Sequence, residues 1–263
     1  MKLIIGQYVP GRSIIHKIDP RAKLIAVFLL VVVVFLANNW PAYGLVILFT
    51  AIGLISAKIP FRFIYRGLKP VLFIIIFTFV LNVLFTHRGE TLFQWGFIQL
   101  TTEGLKQALF ISVRLLTIII ATTLLTLTTT PIEITDALEV LLGPLKKLRF
   151  PVHEFALMMS IALRFIPTLT EETEKIMKAQ SARGVDFSSG SLARRAKAIV
   201  PLLVPLFVSA FKRADELAMA MEARGYRGDV GRTKWRLLEW RLRDTLLLLS
   251  IILLTVALVF LRS

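Results

Sequence analysis

An Ala-Arg-Gly triplet that occurs twice supplies the most distinctive chemistry of this sequence. Each triplet closes a charged stretch with helical periodicity and places its arginine directly before a glycine. A guanidinium at a helix tip can make two parallel hydrogen bonds to a carboxylate, which a lysine cannot do. We therefore interpret the triplets as two copies of one docking device for partner proteins. They are Ala182-Arg183-Gly184 and Ala223-Arg224-Gly225.

The residues upstream of the two triplets repeat as well. Counting back from each arginine, Ala179 corresponds to Ala220 and Ile176 corresponds to Leu217. Each helix therefore carries an apolar residue, a small residue and the arginine on one face. The alternative is that each arginine only contacts the carbonyl groups at the end of its own helix, where glycine is the usual next residue. Because the apolar residue, the small residue and the arginine are all repeated, we favour docking to a partner protein over capping.

The composition is typical of a membrane protein and excludes several classes of site. Hydrophobic residues make up 56% of the chain and charged residues only 19%, well away from the composition of soluble domains. The absence of cysteine excludes disulfides and thiolate metal sites. The three histidines lack paired-ligand spacing, and no Walker or G-x-S-x-G motif occurs. We predict no catalytic residue, no metal, no cofactor and no enzymatic activity.

The net charge of +15 is concentrated beside apolar runs. Basic residues precede the first run, separate the second from the third, and are frequent from Pro131 to Arg243, whereas the other connections carry few. This is the positive-inside pattern, so it predicts a membrane surface and not a nucleic acid as the partner of these charges. It places the N-terminus in the cytoplasm, and five crossings then place the C-terminus outside.

The predicted fold is an all-α integral membrane protein with about five transmembrane helices and a cytoplasmic module of long amphipathic coupling helices. We divide the chain into residues 1–130 (N-terminal segment and four spans), 131–243 (coupling helices) and 244–263 (C-terminal span). The spans are predicted at Leu24–Ala37, Ala42–Ala57, Val71–Thr86, Ala108–Thr129 and Leu246–Leu261.

Capping residues and prolines predict where helices begin and break. Asp19-Pro20 and Thr130-Pro131, the latter with Glu133, are typical helix starts. Within the coupling module, Pro167 predicts a helix end, and Thr168 with Glu171 predicts a new capping box. Pro201 and Pro205 predict an interruption of the last coupling helix. An acidic cluster at Glu171, Glu172 and Glu174 is interpreted as a solvated helix start.

All methionines other than Met1 lie in the coupling module. Flexible thioethers can repack against different partners, so we predict an adaptable apolar surface for membrane partner proteins. The alternative is ordinary core filling. The residues are Met158, Met159, Met177, Met219 and Met221.

With its two triplets, the chain resembles the transmembrane T component (EcfT) of energy-coupling factor (ECF) transporters. The N-terminal segments Tyr8–Ser13 and His16–Lys23 also resemble that family's pattern. The resemblance implies two cytoplasmic ABC-type ATPase subunits and a membrane S component that binds a vitamin or metal ion. It further implies that Arg183 and Arg224 each engage one ATPase, and that the coupling helices carry ATPase movement to the S component in the prokaryotic cell membrane.

Two alternatives remain open from the sequence. One is a T component dedicated to a single S component, as in a cobalt, nickel or biotin system. The other is a polytopic membrane enzyme or signalling scaffold that acts without ATPases.

Overall fold

A computed structural model describes residues 8–86, 90–95, 98–187, 191–228 and 238–262. Over these ranges the chain forms eight α-helices, two short 3-10 segments and a two-stranded antiparallel sheet. The helices are α1 (Pro20–Val34), α2 (Trp40–Ala57), α3 (Phe61–Phe85), α4 (Thr102–Thr128), α5 (Pro131–Leu141), α6 (Val152–Ala182), α7 (Leu192–Ala223) and α8 (Leu242–Arg262); the strands are β1 (Thr91–Trp95) and β2 (Ile98–Thr101).

The chain forms two compact units. Unit 1 comprises Met1–Val140 together with Leu238–Ser263, and unit 2 comprises Leu141–Leu237. Helices α1 to α4 and α8 therefore belong to unit 1, and α6 and α7 belong to unit 2. The cytoplasmic location of residues 131–243 stays a prediction.

Both predicted helix starts in unit 1 are confirmed. The Asp19 side chain accepts a hydrogen bond from the Arg21 amide (2.8 Å), and Pro20 occupies the first position of α1. At α5, Thr130 and Glu133 cap each other: the Thr130 amide donates to Glu133 Oε2 (2.8 Å) and the Glu133 amide donates to Thr130 Oγ1 (3.3 Å). These bonds satisfy amides that have no partner within the helix.

The core of unit 1 lies between α1, α2, α4 and α8. Although only a short connection joins α1 to α2, both helices pack mainly against α4 and α8. Small side chains on α1, such as Ala22 and Ala26, are buried there, which allows close helix approach. Helix α3 packs on α4 and exposes large apolar side chains along most of its length, among them Phe73 and Phe85.

Five of the described helices are long and apolar enough to cross a membrane: α2, α3, α4, α6 and α8. The number agrees with the prediction, but the membership differs. The predicted first span forms α1, which has only 15 residues and is therefore about 22 Å long, short of the ~30 Å hydrocarbon core. Its packing against α4 and α8 nevertheless places it in the membrane bundle. Helix α6 meets the length and composition criterion, although it belongs to the segment that the charge pattern predicts to be cytoplasmic.

The predicted helix breaks in unit 2 are wrong. Helix α6 continues through Pro167, so Thr168 lies inside the helix and caps nothing, and α7 continues through Pro201 and Pro205. A proline removes one backbone donor and strains one turn. In helices of 31 and 32 residues, the hydrogen bonds on both sides of each proline are sufficient to keep the helix continuous.

The start of α4 generates a stability prediction. Buried Gly104 lies so close to its neighbours that an added Cβ would be 2.8 Å from Thr101 Oγ1 and 2.8 Å from the Thr86 carbonyl oxygen. Because a backbone oxygen cannot easily move, we expect Gly104→Ala to lower the free energy of unfolding by about 1–3 kcal/mol. Thermal unfolding in detergent measures the effect.

The matched control is Gly44→Ala in α2, because an added Cβ there meets nothing within 4 Å. This variant should be at least as stable as the wild type, because alanine favours the helix over glycine. Equal melting temperatures for the two variants would contradict the close approach at Gly104.

Candidate functional site

The two Ala-Arg-Gly triplets form the C-terminal ends of α6 and α7. Ala182 is the last helical residue of α6 and Ala223 the last of α7, and the arginine that follows each is the C-cap. Gly184 (φ +87°) and Gly225 (φ +73°) adopt the left-handed conformation, which other residues adopt only with strain. The glycines therefore end both helices as the sequence predicts.

Both helix ends close with the same pair of backbone hydrogen bonds. At α6, the Gly184 amide donates to the Ser181 carbonyl (3.0 Å) and the Val185 amide donates to the Gln180 carbonyl (3.0 Å). At α7, the corresponding bonds are Gly225 to Glu222 (2.8 Å) and Tyr226 to Met221 (3.0 Å). This is the Schellman arrangement, which satisfies terminal carbonyl groups with backbone donors.

The arginine side chains take no part in this closure. Arg183 and Arg224 are exposed, and neither guanidinium makes a hydrogen bond or ion pair with any residue that the structure describes. The capping alternative required these groups to contact their own helix ends, but backbone amides already make the Schellman bonds there. Each guanidinium carries five N–H donors in a planar fork, a geometry suited to a carboxylate or to carbonyl groups of another protein.

Helices α6 and α7 are joined by a polar contact that the sequence did not reveal. Glu172 of α6 accepts a short hydrogen bond from the Ser209 hydroxyl of α7 and forms an ion pair with Arg213 (3.0 Å). The interpretation of Glu172 as part of a solvated helix start is therefore wrong, because Glu172 lies in the middle of α6 and is half-buried. No periodicity signal could identify a partner on a different helix.

A second contact between α6 and α7 arises from proline. Pro205 has no amide to donate to the Pro201 carbonyl one turn earlier, so this oxygen lacks its helical partner. Gln180 Nε2 of α6 lies 3.5 Å from it, a long hydrogen bond. The carbonyl that proline frees is thus a point of attachment for the neighbouring helix, close in sequence to the Arg183 tip.

The predicted methionine surface is largely accessible. Met158, Met159, Met177 and Met219 are exposed, and Met221 is half-buried. Core filling does not describe the four exposed side chains. A stripe on α7 exposes further apolar area at helical spacing. Its members, each more than half exposed, are Val200, Val204, Phe207, Val208 and Phe211.

The described residues offer little to hold a small polar cofactor or metal. Within them, no group of three or more His, Asp or Glu side chains could bind a metal ion. Unit 1 contains a cavity of about 100 Å³ with an almost wholly apolar lining. Its polar lining side chains are already bonded: Thr50 and Thr128 donate their hydroxyl hydrogens to their own helices (2.8 and 2.7 Å), and Lys23 Nζ donates to the Thr128 carbonyl (2.9 Å).

Comparison with known proteins shows that the whole chain is similar to one group of membrane proteins. Residues 11–235 match the family model described as "CbiQ: Cobalt transport protein". The energy-coupling factor transporter transmembrane protein EcfT of Bacillus subtilis (strain 168) is 62% identical over 99% of this chain and 98% of its own. The protein of the same name from Listeria innocua is 55% identical, and that from Macrococcus caseolyticus is 52% identical, each over 100% of this chain and 99% of its own.

The glycines of the triplets generate a prediction about local stability. Gly184→Ala and Gly225→Ala should each destabilise the last helical turn by about 1 kcal/mol, because alanine is strained at positive φ. Hydrogen exchange of the Val185 and Tyr226 amides, which close the two helices, should become faster in the corresponding variant.

Gly143→Ala is the control within unit 2, since this glycine has no positive φ and an added Cβ meets nothing within 4 Å. Unchanged exchange of Val185 in Gly184→Ala would contradict the left-handed helix end.

Proposed function

Because the chain belongs to the EcfT family of energy-coupling factor transporter transmembrane proteins, we propose that Arg183 and Arg224 each dock one cytoplasmic ABC-type ATPase subunit. The chain is the multi-pass membrane T component of its transporter. It acts as a non-catalytic scaffold, and ATP hydrolysis takes place on the two partner subunits. The observation that carries this proposal is the pair of identically closed helix ends, whose guanidinium groups make no bond within the described ranges.

Two similar tips suit two similar partners. Each triplet ends a long helix and holds the backbone in the same geometry, and its arginine side chain bonds to none of the described residues. A groove lined with carboxylates or carbonyl groups could accept either guanidinium through the same bidentate contact. Two copies of one ATPase, or two related ATPases, would therefore each occupy one tip.

The contacts between α6 and α7 support transmission of movement between the tips. Glu172 binds both Ser209 and Arg213, and Gln180 reaches the Pro201 carbonyl. Because the two helices are attached at these points, displacement of one tip when the ATPases close would also displace the other helix. The coupling helices α6 and α7 thus transmit ATPase movement to a membrane S component.

The exposed methionines and the α7 stripe are proposed as the surface for S components. Thioethers adapt to different partner shapes, which suits a module shared among several S components for vitamins or metal ions. The charge pattern supports a cytoplasmic N-terminus and coupling helices, with the C-terminus outside. No cofactor is required for this function.

A T component dedicated to one S component is the second candidate. The description of the matching family model as a cobalt transport protein favours it, whereas the relatives named EcfT favour the shared module. The family assignment gives no support to a membrane enzyme or to a signalling scaffold without ATPases.

The docking proposal predicts the effect of removing the guanidinium groups. Arg183→Ala and Arg224→Ala should each reduce ATP-driven uptake, and the double variant should abolish it or release the ATPases, because each partner loses its bidentate contact. Arg183→Lys keeps the charge but loses the paired geometry, so it should also be impaired. Uptake into proteoliposomes and co-purification of the ATPase subunits measure these effects.

Lys178→Ala and Arg227→Ala, at exposed positions near the two tips, are the controls for lost surface charge. Membrane insertion should remain intact in every variant. Wild-type uptake by the double arginine variant would refute docking, and loss of insertion would instead support the capping alternative.

The methionine surface predicts selectivity among S components. Met158→Ile with Met159→Ile keeps the surface apolar but removes its flexible thioethers, so uptake with some S components should fall more than with others. Leu163→Ile on the same helix is the control for β-branching. Uptake assays with several S components, compared in one membrane preparation, test the prediction; equal effects on all of them would contradict it.

A further inference from the structure

The first turn of α1 contains charged residues that docking at the helix tips does not use. Asp19 to Lys23 form the N-cap and first turn of this helix. We call this segment the α1 clamp. Asp19, Lys23 and the partner carboxylate Asp244 are all buried, with 6%, 5% and 1% of their surfaces exposed. Buried charges are costly unless they are bonded, so their contacts indicate what the segment does.

One side of the α1 clamp binds the chain that returns from unit 2. Arg21 Nη2 donates to the Leu238 carbonyl (3.0 Å), and the Arg21 guanidinium lies over the Trp240 ring, 5.7 Å from its centre. The Asp19 amide donates to Asp244 Oδ1 (2.7 Å), and Asp244 Oδ2 accepts from the Arg241 amide (2.6 Å). The start of α1 and the start of α8 therefore share one buried carboxylate.

The other side binds the chain that leads towards unit 2. Lys23 Nζ donates to the Thr128 carbonyl (2.9 Å) and to Thr129 Oγ1 (3.2 Å), at the point where α4 ends. The Val9 amide adds a hydrogen bond to the Leu127 carbonyl (3.0 Å). Directly after these residues, Thr130 caps α5, the helix from which the chain passes into unit 2.

Helix geometry explains how one turn reaches both segments. Residues two apart on an α-helix point about 200° apart around its axis, so Arg21 and Lys23 lie on nearly opposite sides of α1. The chain passes from unit 1 to unit 2 after Val140 and returns to unit 1 at Leu238. The α1 clamp is bonded to the segments leading to both connections.

We propose that the α1 clamp is a positioning element for transport, which holds the two connections of unit 2 so that its movement is passed to α4 and α8 together. Lys23 and Asp244 are the positioning residues. This inference rests on the proposed function, because it requires that the ATPases move unit 2. Without the α1 clamp, the two connections could move independently of each other, and ATP would be hydrolysed with little transport.

The test uses the complete transporter in proteoliposomes and measures substrate taken up per ATP hydrolysed. Lys23→Met keeps the length and apolar stem of the side chain but removes both hydrogen bonds at the end of α4. The exposed residue Lys17 provides the control Lys17→Met. We expect Lys23→Met to assemble and to hydrolyse ATP as the wild type does, while transport per ATP falls about fivefold, in the range seen for residues that carry coupling.

A second variant, Asp244→Asn at the start of α8, tests the proposal if Lys23→Met does not assemble. Asp244→Asn keeps the shape but turns an NH₂ group towards one of the two bonded amides, so one hydrogen bond is lost. Glu239→Gln, an exposed carboxylate in the same segment, is its control. Asp244→Asn should also lower transport per ATP, and Glu239→Gln should not.

The outcomes separate the two proposals. Wild-type transport per ATP in both Lys23→Met and Asp244→Asn would overturn the clamp. A parallel fall of assembly, ATP hydrolysis and uptake in both would show a purely structural role and would overturn it as well. Failure of the wild-type chain to bind ATPases contradicts the proposed function instead, and assembly of the wild type is measured first.

Discussion

Satisfaction of backbone groups at helix ends is the constraint on which this structure depends. An apolar unit in a membrane offers almost no water to bond the free amides and carbonyls of a helix terminus. Unit 1 meets this demand with a few buried side chains: Asp19 and Asp244 receive amide hydrogens at the starts of α1 and α8, and Lys23 donates to a carbonyl at the end of α4. Two of these bonds, from the Asp19 amide to Asp244 and from Lys23 to the Thr128 carbonyl, join distant parts of the chain, so they also hold the bundle together.

Unit 2 solves the same problem differently, and the difference has a functional consequence. Its two long helices close with backbone donors after a left-handed glycine, so no side chain is needed to cap them. The guanidinium at each C-cap therefore makes no capping bond, which is consistent with the docking role that we propose. Where a carbonyl is freed inside α7, by Pro205, a glutamine from α6 approaches it, and a proline that weakens one helix becomes an attachment point for the other.

The errors of the sequence-based prediction have one cause. Proline rules describe the local cost of a missing amide, but they do not include the long stretches of helix on either side that keep α6 and α7 continuous through Pro167, Pro201 and Pro205. The first span, predicted at Leu24–Ala37, forms the short α1, and only the structure shows that packing against α4 and α8 holds this helix in the bundle. Glu172 was misjudged because its partners lie on another helix.

The sequence by itself determined the features that depend on local chemistry: the membrane class, the number of long apolar helices, the caps at Asp19 and Thr130, and the glycine ends at Gly184 and Gly225. It also located the two arginines that we propose as docking residues, since the repeat and the following glycine are visible in the chain. Only the tertiary structure decided that these guanidiniums bond to no residue in the described part of the chain, that α6 and α7 are joined through Glu172, and that Arg21 and Lys23 bind opposite segments. Those facts depend on residues far apart in sequence, whose approach is set by packing and not by local propensity.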